Sequence, residues 1–264
     1  LIGSTDAHSG LSSAEEGNFL GKMAKDSTPE TKERVGSVSS SNGWNMSASG
    51  LAAVWAEENT REAIYAAFKR KEVYATSGPR LRVQMFAGWD FPENAAIAED
   101  FGAIGNQYGV PMGGDLIATG EDNKAPSFLI RAVKGPVDAN LDRVQVVKGW
   151  VDNNGQQQEK VYNVAWSDNR ELSAEGELPD VGNTVDLRSG RYTNTIGQAE
   201  LAVLWVDPDF NSGHSAFYYT RVLQIPTPRN GLLDSLALEL DKPPRGPKTL
   251  QERAYTSPIW YQSQ

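Results

Sequence analysis

The residues best suited to chemistry sit near the amino end, in Gly3-Ser4-Thr5-Asp6-Ala7-His8-Ser9-Gly10. Asp6 and His8 are two apart. At the end of a strand, residues i and i+2 project to the same side. A carboxylate and an imidazole then converge on one point, a donor pair suited to a divalent ion such as zinc or manganese. The small neighbours Gly3, Ser4, Ala7, Ser9 and Gly10 leave room for the ion and a substrate. Spacing alone leaves a blander reading open, in which Asp6 caps a turn and His8 lies on the surface.

Other groups could handle a charged substrate. Arg80, Arg221, Arg229 and Arg253 are able to hold an anion through bidentate hydrogen bonds, although the commoner role of each is a structural ion pair. Arg229 and Arg253 lead this group, because Pro228-Arg229 and Glu252-Arg253 lie in a tail expected to touch the first segment of the chain. The pairs Glu15-Glu16 and Glu57-Glu58 read as charges favouring a helix N-terminus, ahead of a role in supporting a metal. His214, in Asn211-Ser212-Gly213-His214, reads as a surface turn before a strand. Trp150, Trp166 and Trp205 fall in strands and read as core, ahead of a sugar-stacking platform. Asn45-Met46-Ser47 fits a glycosylation acceptor, a pattern frequent by chance.

The elements that must position these residues divide the chain in two. Residues 1–80 read as helix and loop, and residues 81–225 as a domain of strands, with the boundary at Ser77-Gly78-Pro79. In the first part, residues 14–25 suggest a helix with Phe19, Leu20 and Met23 on one side. Residues 36–50, rich in Ser, Gly and Asn, suggest a loop. Residues 51–56 suggest a short helix or buried segment. The clearest helix starts at Thr60, which can cap it. Ile64, Ala67 and Phe68 fall on one face, and Lys69, Arg70 and Lys71 suit the negative end of the dipole. Beyond Arg80 the period becomes two: Leu81, Val83 and Met85 alternate with Arg82, Gln84 and Phe86. Residues 127–134, 143–151, 160–166, 199–206 and 216–225 are further strands. Asp152-Asn153-Asn154-Gly155 predicts a hairpin between two of them. Strands punctuated by Gly, Asn and Pro suggest an antiparallel β-sandwich. Residues 95–125 read as loop, and residues 226–264 as a proline-rich tail that wraps back as ordered coil.

Composition narrows the partners. The 264 residues suffice for one large or two small domains, and a net charge of −9 argues against a nucleic-acid partner. No apolar run approaches the roughly 18 residues of a membrane span. The absence of cysteine excludes disulfides and thiolate chemistry. Leu1-Ile2-Gly3 is too short and too uncharged for a signal peptide. The start reads as the end of a buried strand entering a functional loop, so a preceding segment is expected.

A resemblance adds to this reading. Gly3-Ser4-Thr5-Asp6-Ala7-His8 resembles the last metal-binding motif of the PHP (polymerase and histidinol phosphatase) superfamily. The stretches from Gly50 to Ala63 and from Tyr74 to Arg80 resemble the closing helix and exit strand of such proteins. Gly109-Val110-Pro111-Met112-Gly113-Gly114-Asp115, the run from Asp142 to Trp150, Phe217 to Leu223, Ile225 to Arg229 and Gln251 to Tyr261 continue the match. Together they resemble a large bacterial family of PHP-related proteins whose domain has no assigned function. The resemblance implies an α+β chain: the closing part of a distorted (β/α)7 barrel, then the sandwich. It implies a hydrolase for phosphoesters, using two or three divalent ions (zinc, manganese or iron), with Asp6 and His8 as ligands. The substrate would be a small anionic molecule or phosphoester, with Arg229 and Arg253 as candidates to bind it. The other ligands of the pattern, a His-x-His, further histidines and a Glu, belong earlier in such chains, whereas this one holds only His8 and His214. The missing amino-terminal part would then be an obligatory partner, and the chain alone inactive. Asn230 departs from the pattern, which has tryptophan there. The family and the missing cysteines suggest a periplasmic or secreted protein, with the cytoplasm left open. The rival readings are a sandwich that binds a glycan or other polymer, and a purely structural module.

Overall fold

A computed structural model describes residues 1–264 apart from 5, 12, 14, 36–42, 49, 119–123, 242, 244 and 264. Helix makes up 18% of the described residues and strand 33%, which places the chain in the mixed α+β class. The strands are β1 (Leu51–Val54), β2 (Val73–Thr76), β3 (Arg82–Gly88), β4 (Gly109–Pro111), β5 (Asp115–Ile117), β6 (Ser127–Val133), β7 (Leu141–Val151), β8 (Gln157–Trp166), β9 (Glu200–Val206), β10 (Ala216–Gln224), β11 (Thr227–Pro228), β12 (Thr249–Leu250), β13 (Arg253–Thr256) and β14 (Ile259–Gln262). The helices are α1 (Pro29–Val35), α2 (Arg61–Arg70), α3 (Phe101–Tyr108) and α4 (Asn230–Ala237).

Two sheets share most of the core. In the smaller, the order is β4-β3-β6-β9, all antiparallel. In the larger, β8 pairs β7 and β7 pairs β10. The far side of β10 is shared by β13 and β14, which lead to β2 and β1 and to β5 respectively. The β14–β5 pair is parallel, so this sheet is mixed. Burial along β10 alternates strictly, the signature of a strand with one face in the core. Its inward residues Tyr218 and Val222 join Val83, Met85, Phe128 and Ile130 of the smaller sheet in one apolar cluster. By contrast, β1 and β2 form a hairpin at the edge of the larger sheet, and α2 crosses between them. Thr60 caps α2 by accepting from the Ala63 amide at 3.3 Å, and Lys71 ends it in the left-handed conformation.

The described residues form mixed α+β structure with sheets and no closed barrel. Several expectations about single elements need correction. Residues 51–54 form a strand, because pairing with β2 outweighs the weak preference of so short an apolar run. Instead of one helix over residues 14–25 there are two 3-10 turns, Glu16–Asn18 and Ala24–Asp26; Ala14 lies outside the described residues. Of the loop expected at 36–50, residues 36–42 and 49 lie outside the description too. α3 lies in the stretch read as loop. Gly102 and Gly105 mask its helical pattern, and a Cβ at Gly105 would sit 2.4 Å from the Phe86 ring, so the glycine is what lets the helix approach β3. The tail is not coil: it carries α4 and four short strands.

Candidate functional site

The amino-terminal segment is laid along the hairpin edge. The Gly50 amide donates to the Ser4 carbonyl at 3.1 Å, and the Leu1 amino group donates to Ser257 Oγ at 3.1 Å. Beyond Ser4 the chain turns. Asp6 has φ 48°, a left-handed conformation that aspartate tolerates better than most residues, and the His8 amide donates to the Lys22 carbonyl at 2.7 Å. The turn, not a strand, brings the two candidate ligands together: His8 Nε2 lies 3.4 Å from Asp6 Oδ1. Both side chains are open to solvent, 66% exposed for Asp6 and 52% for His8. The Lys22 ammonium sits on Asp6 Oδ2. Its hydrogen bond, aided by His8, holds the Asp6 carboxyl below the usual carboxylate range. An ionised carboxylate beside an imidazole fits the donor chemistry of a divalent ion. Among the described residues, no third His, Cys, Asp or Glu joins them in a group of metal-binding geometry.

Arg229 and Arg253, singled out as anion binders, border one pocket of about 300 Å³ with Asn45, Ser47, Ser77 and Glu252. Arg229 is 4% exposed and donates through Nη1 to the Trp44 carbonyl at 2.8 Å and through Nη2 to that of Met46. Arg253 donates from Nε and Nη2 to the Gln251 carbonyl, each at 3.2 Å. Arg80 and Arg221 lie elsewhere: the Arg80 amide donates to Asp138, and Arg221 Nε donates to Gln145 Oε1 at 2.7 Å.

Beside this pocket is a buried polar cluster that pattern reading missed. Glu16 is 8% exposed, not a surface charge at a helix end. It accepts from the Ala48 amide, from the Asn230 amide at 2.6 Å and from Asn230 Nδ2 at 2.7 Å. Lys32, 1% exposed, donates to Asn230 Oδ1 at 3.0 Å, pairs with Asp234, and lies between the rings of Phe19 and Trp44. Asn230, where the resemblance led to an expectation of tryptophan, is therefore the hub tying α1 and the first 3-10 turn to α4. Glu252 is 7% exposed and accepts from Ser77 Oγ. Burial pushes its carboxyl up to about 7, against the pull of Ser77. The one sequence signal for Glu252 was its place beside Arg253.

The remaining candidates stay apart. Glu15, Glu57 and Glu58 are exposed. His214 Nε2 lies 2.9 Å from Asn153 Oδ1, bridging to the β7–β8 turn. Trp205 packs on Phe128 and Tyr162, with ring centroids 5.6 and 4.9 Å apart. No helix among the described residues is long and apolar enough to cross a membrane. A family model described as "Protein of unknown function (DUF3604)" matches residues 1–263. No curated protein and no solved structure matches the chain.

Proposed function

The chain belongs to the DUF3604 family, and from that premise we propose that it is part of a metal-dependent hydrolase, with phosphoesters as the substrate class and Asp6 and His8 as two of the metal ligands. The observation that carries the reading is the exposed Asp6–His8 pair, 3.4 Å apart on a turn with Asp6 in a left-handed conformation. Such conformations cost energy and concentrate where function demands them. When bound, a divalent ion would supply a Lewis acid for a phosphoryl oxygen and would acidify a water molecule. The chain's own residues prepare the place. Lys22 keeps Asp6 ionised and so ready to donate. Once displaced from Asp6, its ammonium would remain beside an incoming anion. The further ligands that the PHP resemblance calls for would come from a preceding segment.

The test uses the full-length protein: metal content by mass spectrometry, and hydrolysis of an aryl phosphate with and without chelator. Asp6→Ala and His8→Ala should each lower bound metal and abolish metal-dependent hydrolysis while circular dichroism stays unchanged. Full activity in both variants would sink the assignment.

A second reading, glycan binding by the larger sheet, has one observation in its favour. The face of that sheet turned away from the core carries an aromatic row. Phe217 and Tyr219 are near-parallel at 6.4 Å, Trp260 lies 5.3 Å from Phe217, and Tyr255 lies 6.4 Å from Tyr219. Trp260 is 43% exposed. Quenching or a shift of tryptophan fluorescence by neutral oligosaccharides, lost in Trp260→Ala, would support this reading. An unchanged spectrum would remove it.

A further inference from the structure

The pocket bordered by Arg229 and Arg253 has an unbalanced charge. Neither guanidinium lies within ion-pair distance of a carboxylate among the described residues. Both are steered by neutral carbonyl oxygens: Trp44 and Met46 for Arg229, Gln251 for Arg253. Buried arginines elsewhere in the chain are treated differently. Arg170, 9% exposed, and Arg143, 13% exposed, both contact the carboxylate of Asp142, at 2.7 and 3.0 Å. A buried cation with no carboxylate in direct contact is costly, and proteins ordinarily pair it; Arg229 feels Glu16 only through space, and burial outweighs that pull. The carboxyl that shares the pocket, Glu252, does not restore the balance, since burial favours its neutral form. Among the described residues Arg253 Nη1 makes no hydrogen bond, and Ser47 and Asn45 line the same pocket.

We propose that this pocket binds the oxyanion of a small molecule, a phosphate or sulfate group, with Arg253 as its principal contact and Arg229 as the buried charge behind it. A guanidinium presents a planar fork of donors that matches such oxygens. A volume of about 300 Å³ admits one such group with a small substituent. Glu252 then makes binding pH-dependent. Protonated, it leaves the two cations to the ligand; ionised, it competes for them and repels the anion. The charged and titratable groups around it are Arg253, the next residue and the first of β13, Arg229 ahead of α4, Glu16 from the amino-terminal 3-10 turn and Asp138 from the β6–β7 connection. Glu15, Arg191 and Tyr192 border the cleft on its other side. Glu16 and Asp138 both push Glu252 towards protonation, and Arg253 opposes them.

The site goes beyond the metal reading and is tested apart from it, by calorimetric titration with chelator present. Sulfate is the probe, because its charge does not change between mildly acid and mildly alkaline pH. Saturable binding is expected at pH 6, weakening about tenfold by pH 8 as Glu252 ionises. In Glu252→Gln the tight binding should persist at pH 8. In Arg253→Ala binding should fall at least about tenfold, the loss of one charge-assisted contact, with partial recovery in Arg253→Lys. Circular dichroism on each variant checks the fold. Titration with inorganic phosphate and with a phosphomonoester at pH 6 distinguishes a site for the free ion from one for an esterified group. The proposal is overturned if sulfate shows no saturable binding at millimolar concentration, or if Arg253→Ala binds it unchanged.

Discussion

Asp6 and Glu252 are both carboxylates with a cation nearby, yet they titrate in opposite directions. Asp6 stands in solvent, accepts from Lys22, and is held below the ordinary range. Glu252 accepts from Ser77 and has Arg253 beside it, yet it is raised to about 7 because water has been removed from around it. A partner is not enough to keep a carboxylate ionised; loss of hydration outweighs it when burial is deep. The same contrast separates two regions. Residues 6–11 lie in an exposed turn, where the His8 amide bonds to the Lys22 carbonyl. The zone where Glu16, Lys32, Trp44, Asn230 and Asp234 meet is largely buried and tied by side-chain hydrogen bonds.

From this contrast the buried zone should be fragile and the exposed turn tolerant. The largest effect is expected at Lys32→Ala, which strands Asp234 and Asn230. A loss of about 3–5 kcal/mol is expected for removing one partner of a buried pair, read by chemical denaturation. Glu16→Ala should follow at about 2–3 kcal/mol, for the amides of Ala48 and Asn230 left without an acceptor. Glu252 contributes through pH. Its folded value, about 7, lies above the unfolded value near 4.5, so the native state binds the extra proton between them. Its stabilising contribution is therefore complete below about pH 4.5 and is lost as pH rises through 7, a change on the order of 2 kcal/mol after allowing for residual solvent. Glu252→Gln should flatten the stability profile across that window. Least of all, Asp6→Ala and His8→Ala should leave the thermal midpoint where it is, since both side chains are exposed. A large drop in either would erase the distinction between the two regions.

What could be read from residue order followed locality. The β7–β8 hairpin over Asp152–Gly155, the capped helix α2 and the strands β3, β6, β9 and β10 all carry their own periodic pattern, and all are present. The closeness of Asp6 and His8 was also legible, although a left-handed turn produces it. Arg229 and Arg253 were picked singly, and only the fold brings them to one pocket. α3 and α4 were missed because glycines interrupt the first and prolines surround the second. Glu16 and Lys32 were missed for a different reason. A charged residue on a short polar segment looks like surface, and nothing local announces that Asn230, far along the chain, will cover it. Buried charge is a long-range property.

One feature of the larger sheet bears on how the molecule is made. β13 is hydrogen-bonded to β2 on one side and to β10 on the other, although it is among the last strands in chain order. On the ribosome, the β1–β2 hairpin must therefore wait while β3 to β12 are made, with an open backbone edge, the kind of edge that invites mispairing with other chains. Its charged, capped helix α2 offers some solubility meanwhile. Such non-local closure is slow. Nascent-chain release before Arg253 would leave two half-sheets with no seam between them.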